Sequence, residues 1–183
     1  FRHSRQSLRI VEQLEKDGRG LNLTWEVRQG IVSHSKPRGD FLNGDDTDEL
    51  TLEGQVCRIA DAVAYLNHDL ADAFRAGILA AEDLPREVVE VLGSRHSKRI
   101  DVMVSDIVES SWRASGRDGT GYGERPVITM GPQVRQAVNT LREYMFETVY
   151  VPEDQGEEGR AARRIVRLLY EHLSDNPDEI PPE

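Results

Sequence analysis

Asp61, Tyr65 and Asp69 stand four residues apart within TLEGQVCRIADAVAYLNHDLADAFRAGI, Thr51 to Ile78. On a helix, steps of four keep side chains on one slowly drifting stripe. Two carboxylates and a phenol then line one face while the other turns to the core. Carboxylate oxygens suit a hard divalent cation. A phenol ring offers an apolar body with a polar tip. The layout suits a metal and a sugar better than packing alone.

Each residue also has a structural explanation. Asp61 lies between Ile59, Ala60, Ala62 and Val63, which places it partly buried. A buried carboxylate is costly unless paired or metal-bound, and Arg58 or another helix could pair it. Tyr65 could be a core-edge aromatic with a locally bonded hydroxyl. His68 and Asp69 form a literal His-Asp pair, but neighbours on one helix point about 100° apart. Both could bind one metal only with ligands from elsewhere. Asp72 reads as a solvated charge, and His96 and His172 as structural or solvated. His3 and His34 are the remaining polar candidates.

Helical periodicity supplies the elements that must hold these groups. Leu8, Val11 and Leu14 mark a helix over about 3–16, stopped at Asp17-Gly18. Thr24 caps a second helix, with Glu26 favourable in its first turn and Trp25, Val27 and Ile31 its apolar residues. A polar loop over about 35–48 follows. The long helix over about 51–76 has Leu52, Val56, Ile59, Val63, Leu66, Leu70 and Ala73 as its core stripe. Cys57, within it, reads as a small buried residue. Asp83-Leu84-Pro85 opens a short helix that closes at Gly93.

A further helix over about 97–114 carries Ile100, Val104, Ile107, Val108 and Trp112. Gly116 to Met130 is a Gly-rich loop, in which 126–130 could be extended. Its GRDGTGYG segment lacks the strand context and Lys-Ser/Thr ending of a phosphate loop. Arg113, Arg117 and Arg125 around it could reach a ligand or another subunit. Pro132 starts the next helix, and a last one spans about 157–173 before an acidic tail. The expected fold is all-α, a multi-helix bundle without internal repeat.

Composition narrows the classes. The 183 residues carry 33 Asp plus Glu against 23 Lys plus Arg, a net charge of −10. That argues against a broad nucleic-acid surface. A local cationic cluster or a bound divalent metal could still hold a small anion. No apolar run approaches the roughly 20 residues of a membrane helix. One cysteine rules out an internal disulfide, and the cytoplasm is the expected compartment.

Five blocks carry a resemblance: FRHSRQSLRIVEQLE, GLNLTWEVRQGIVSHSK, TLEGQVCRIADAVAYLNHDLADAFRAGIL, RIDVMVSDIVE and LREYMFETVY. Together they resemble the deoxyguanosine triphosphate triphosphohydrolase family of HD-domain phosphohydrolases, from about residue 1 to 173. The resemblance implies an HD-domain-like bundle, here partial. It also implies cleavage of a deoxynucleoside triphosphate to deoxynucleoside and triphosphate. A divalent metal, Mg²⁺, Mn²⁺ or a similar ion, would polarise the alpha phosphate and activate a water.

By the same resemblance, Asp61 in the RIAD segment is a metal ligand. Tyr65 packs near the deoxyribose, and Asp69 contacts its 3′-hydroxyl. His3, in the F-x-H block, lies near the phosphates and could donate a proton. His34 and Lys36 lie near the triphosphate. The family's other metal ligands precede the F-x-H block, so the chain reads as a C-terminal portion, 1–175, with an acidic tail at 176–183. Ala62 replaces a common Lys, and Ser4 a common Asn. Homo-oligomers are expected. The alternative is a non-catalytic nucleotide-binding or oligomerisation module of the same descent.

Overall fold

A computed structural model describes residues 2–34, 50–117 and 126–180. Among them all regular structure is helical, and no strand occurs. The chain divides into two compact units, Phe1–Arg142 and Glu143–Glu183.

The first unit begins with α1 (His3–Arg9), which loosens into a π-helical segment, Ile10–Leu14. The expected helix therefore ends early in regular form. The next stretch, α2 (Glu15–Gly18), is a reversal rather than a helix: Lys16 and Asp17 take left-handed backbone angles, φ 54° and 57°. Gly20 completes the turn at φ 69°, and a Cβ there would stand 1.9 Å from the Glu12 carbonyl oxygen. Only glycine fits so close an approach. The chain then enters α3 (Trp25–Ser33) with Thr24 at the expected N-cap position, though its side chain makes no capping hydrogen bond. Helix α3 packs against α1 and against the long helix α4 (Leu52–Arg75).

Helix α4 starts where its chemistry says it should. The Thr51 hydroxyl accepts the Gly54 N–H at 3.2 Å, satisfying one of the donors a helix start leaves open. Thr51→Ala is expected to lower stability by about 1 kcal/mol, read as a lower midpoint in urea unfolding. Ile59, Val63, Leu66, Leu70 and Ala73 are buried, as the periodicity requires. Val56 is not: it is 47% exposed. Cys57 is also exposed, contrary to expectation.

Two shorter helices follow, α5 (Arg86–Leu92) and α6 (His96–Ser110), separated by Gly93 at φ 87°. A 3-10 turn, Trp112–Ser115, ends this part. Helix α6 is rotated relative to its apolar pattern. Arg99 and Met103 are its buried residues, while Val104 and Val108 are about half exposed. The Arg99 guanidinium donates to Asn67 Oδ1 (3.3 Å) and to the Ser94 carbonyl (2.6 Å). The Asn67 amide in turn donates to the Val63 carbonyl at 2.8 Å. A polar tie inside the core thus joins α4 to α6.

Residues 126–130 form no strand. Side chains hold them instead: Ile128 N–H donates to Gln55 Oε1 (2.8 Å), and Thr129 N–H to Ser111 Oγ (2.9 Å). Helix α7 (Pro132–Met145) begins at the expected proline. Gly131 N–H before it donates to Asp106 Oδ2 at 2.7 Å.

The second unit continues through a π-helical segment, Phe146–Tyr150, into α8 (Val151–Gln155) and α9 (Glu157–Asp175). A 3-10 turn, Pro177–Glu179, closes the described residues, with His172 Nε2 2.8 Å from Glu179 Oε2.

Candidate functional site

Helix α4 presents the polar stripe outward. Asp61 is exposed, not partly buried as its apolar neighbours suggest. Tyr65 is 61% exposed, and Asp69 lies at an intermediate depth. The buried side of the helix carries Ile59, Val63, Leu66 and Leu70. Each step of four residues turns about 40° around the axis, so the stripe drifts from solvent at Asp61 toward the protein at Asp69. Sequence neighbours misled because consecutive residues point about 100° apart.

Arg58 is buried, at 6% exposure, and its Nε has no hydrogen-bond partner. His68 turns toward α6, where its ring stacks on His96 with centroids 5.8 Å apart. Asp72 is exposed and pairs with Arg75, as a solvated charge would.

The structure brings His3 and His34 together. Their Nε2 atoms lie 3.2 Å apart, across 31 residues of chain. His34 Nδ1 is 2.7 Å from the Ile31 carbonyl oxygen. A ring nitrogen beside a carbonyl must carry the proton, so the neutral His34 ring keeps its lone pair on Nε2. His3 Nε2–H can then donate to it. The contact is possible because α3 packs on α1. Two imidazoles sharing a proton can bind an anion or exchange a proton with one.

Among the described residues, Glu26 and Arg99 are shifted from their ordinary ranges. Glu26, at the start of α3, is held below the usual carboxylate range by its own backbone N–H and then by the Thr24 hydroxyl. Burial lowers the Arg99 guanidinium from the usual arginine range. Neither lies on the α4 stripe.

A divalent metal does not find a full set of ligands here. Among the described residues no group of three or more His, Cys, Asp or Glu converges. Asp61 brings a single carboxylate to such a set. Lys36 and Arg125 lie outside the described residues, as does most of the GRDGTGYG segment. The Arg99–Asn67 tie was not singled out from the sequence, and Arg58 was named only as a partner for Asp61. Asn67 does fall on the buried stripe between Val63 and Leu70, which is the one signal that could have found it.

Similarity to known proteins runs along the whole chain. A protein of Caldanaerobacter subterraneus subsp. tengcongensis, named deoxyguanosinetriphosphate triphosphohydrolase-like protein, is 42% identical over 183 residues, all of this chain and 48% of that protein. A Clostridium perfringens protein of the same name is 38% identical over 181 residues, 99% of this chain and 50% of that protein. The chain is a homologue of the deoxyguanosinetriphosphate triphosphohydrolase-like proteins. A Brucella ovis relative with that name is 30% identical over 229 aligned positions, covering 57% of its own length. Residues 128–183 also match the model of the phosphohydrolase-associated domain. The chain spans about half the length of the deoxyguanosinetriphosphate triphosphohydrolase-like relatives it matches.

Proposed function

We propose that this chain supplies part of the active site of a metal-dependent deoxynucleoside triphosphate triphosphohydrolase, with a dGTP-like substrate. The observation that carries the reading is the outward stripe of α4. Asp61, Tyr65 and Asp69 leave the core and face where a ligand can reach them. The names of the relatives, which match along the whole chain, support a phosphohydrolase.

In this reading residues 1–175 act as one functional portion and the acidic tail at 176–183 adds no group to the site. The described residues do not complete a metal site, so Asp61 contributes one ligand to a set held largely elsewhere in the parent protein. Tyr65 stacks its ring on the deoxyribose and leaves no room for a 2′-hydroxyl. Asp69 accepts a hydrogen bond from the 3′-hydroxyl. His3 and His34 face the phosphates, with His3 placed to hand a proton to a leaving oxygen. No helix among the described residues is long and apolar enough to cross a membrane, and the setting we infer is the cytoplasm.

The parent protein, incubated with dGTP and Mg²⁺ or Mn²⁺, is expected to yield deoxyguanosine and inorganic triphosphate by phosphorus NMR. Release of pyrophosphate and dGMP would contradict the reading.

A further inference from the structure

The His3–His34 pair has the spacing of two ligands on one metal. The two Nε2 atoms lie 3.2 Å apart. Two imidazole nitrogens held roughly 2.1 Å from one tetrahedral zinc stand roughly 3.4 Å from each other. The rings are tilted by 58° with centroids 5.2 Å apart, so they meet by their nitrogen edges and not by their faces. His68 and His96 make the contrast. Their rings are only 28° from parallel and stack, which keeps their in-plane lone pairs from converging.

A second observation points the same way. His34 Nδ1, 2.7 Å from the Ile31 carbonyl oxygen, fixes the ring so that the Nε2 lone pair is turned to His3. Metal-ligating histidines almost always use their other ring nitrogen like this, which sets the tautomer and raises the basicity of the ligand. The fold also holds the two rings in place without a metal. Helix α3 packs on α1, Arg28 of α3 pairs with Glu12, and Leu21 N–H donates to the Val11 carbonyl at 2.6 Å.

We propose that His3 and His34 bind a transition-metal cation of the Zn²⁺, Ni²⁺ or Cu²⁺ class through their Nε2 atoms. Imidazole nitrogen suits these ions, whereas Mg²⁺ and Mn²⁺ favour oxygen. Two protein ligands leave the other positions to water or an anion. The pair holds a proton or the metal, not both. On binding, His3 Nε2 gives up its proton and that ring carries one on Nδ1 instead. The inference goes beyond the proposed hydrolase reading and does not use Asp61. Its test reads Zn²⁺ binding and not turnover, so either can fail while the other stands.

Calorimetric titration of the full 183-residue chain with Zn²⁺ tests it, in a Cys57→Ser background that removes the exposed thiol. Saturable binding of one Zn²⁺ at this pair is expected, with no matching heat from Mg²⁺. His3→Ala and His34→Ala are each expected to weaken it at least about 10-fold, with helix content unchanged by circular dichroism. His68→Ala and His172→Ala are expected to leave it as it was. With Cu²⁺, electron paramagnetic resonance of the chain is expected to show coupling to two nitrogen ligands. Absence of saturable Zn²⁺ binding would overturn the proposal. So would binding untouched by His3→Ala or by His34→Ala, binding lost in His68→Ala or His172→Ala, or a Cu²⁺ spectrum without two-nitrogen coupling.

Discussion

Asp61→Ala is expected to reduce dGTP turnover by the parent protein more than about 10³-fold, while changing its unfolding free energy by less than about 1 kcal/mol. The two halves of that expectation come from the same fact. Asp61 is exposed on a helix whose opposite side is buried. Removing an exposed carboxylate costs little packing, and surface ion pairs contribute on the order of 0–1 kcal/mol. A metal-facing oxygen, by contrast, has no substitute in alanine. If Asp61 served only to anchor α4, the pattern would invert: stability would fall and turnover per folded molecule would hold. Urea unfolding alongside steady-state kinetics separates the two.

Arg99→Ala is expected to destabilise the first unit by about 3–5 kcal/mol, lowering its melting midpoint by about 10 °C. Arg99 is 1% exposed, and both of its hydrogen-bond acceptors, Asn67 Oδ1 and the Ser94 carbonyl, are neutral. Alanine leaves a cavity and strands both acceptors. Methionine at the same position fills most of the volume and removes a desolvated charge. Arg99→Met is therefore expected to cost only about 1–2 kcal/mol, since replacing a buried ion by an apolar side chain is often near neutral. Differential scanning calorimetry of the two variants checks the contrast. Equal losses in both would show that the hydrogen bonds outweigh the cavity.

Much of the helical framework was legible because its signals are local. Thr51 caps α4, Gly93 closes α5 and Pro132 opens α7, each within a residue or two of expectation. Backbone donors and fixed dihedrals act over one turn, so composition alone reveals them. The facing of α6 was not legible. Ile100, Val104, Ile107 and Val108 recur with helical spacing, but they line an open apolar groove of about 530 Å³ together with Leu52, Val56 and Trp112. Periodicity cannot tell a filled core from an unfilled groove. Of the two residues α6 buries, Arg99 and Met103, Arg99 breaks the hydrophobic pattern and depends on Asn67, 32 residues away. The site was read in parts. The spacing of Asp61, Tyr65 and Asp69 and their place on the face away from the core were visible; the exposure of Asp61 was not. Nor could spacing show that His3 meets His34, because that contact exists only once α3 has packed on α1.

The central claim is that Asp61 belongs to a metal-dependent site rather than to the scaffold of α4. Mn²⁺ titration of the parent protein, followed by electron paramagnetic resonance, tests it directly against the Asp61→Ala variant. Mn²⁺ binding that is lost or weakened at least 10-fold in the variant, with unchanged helix content, is the expected result. Equal Mn²⁺ affinity in both proteins would contradict it.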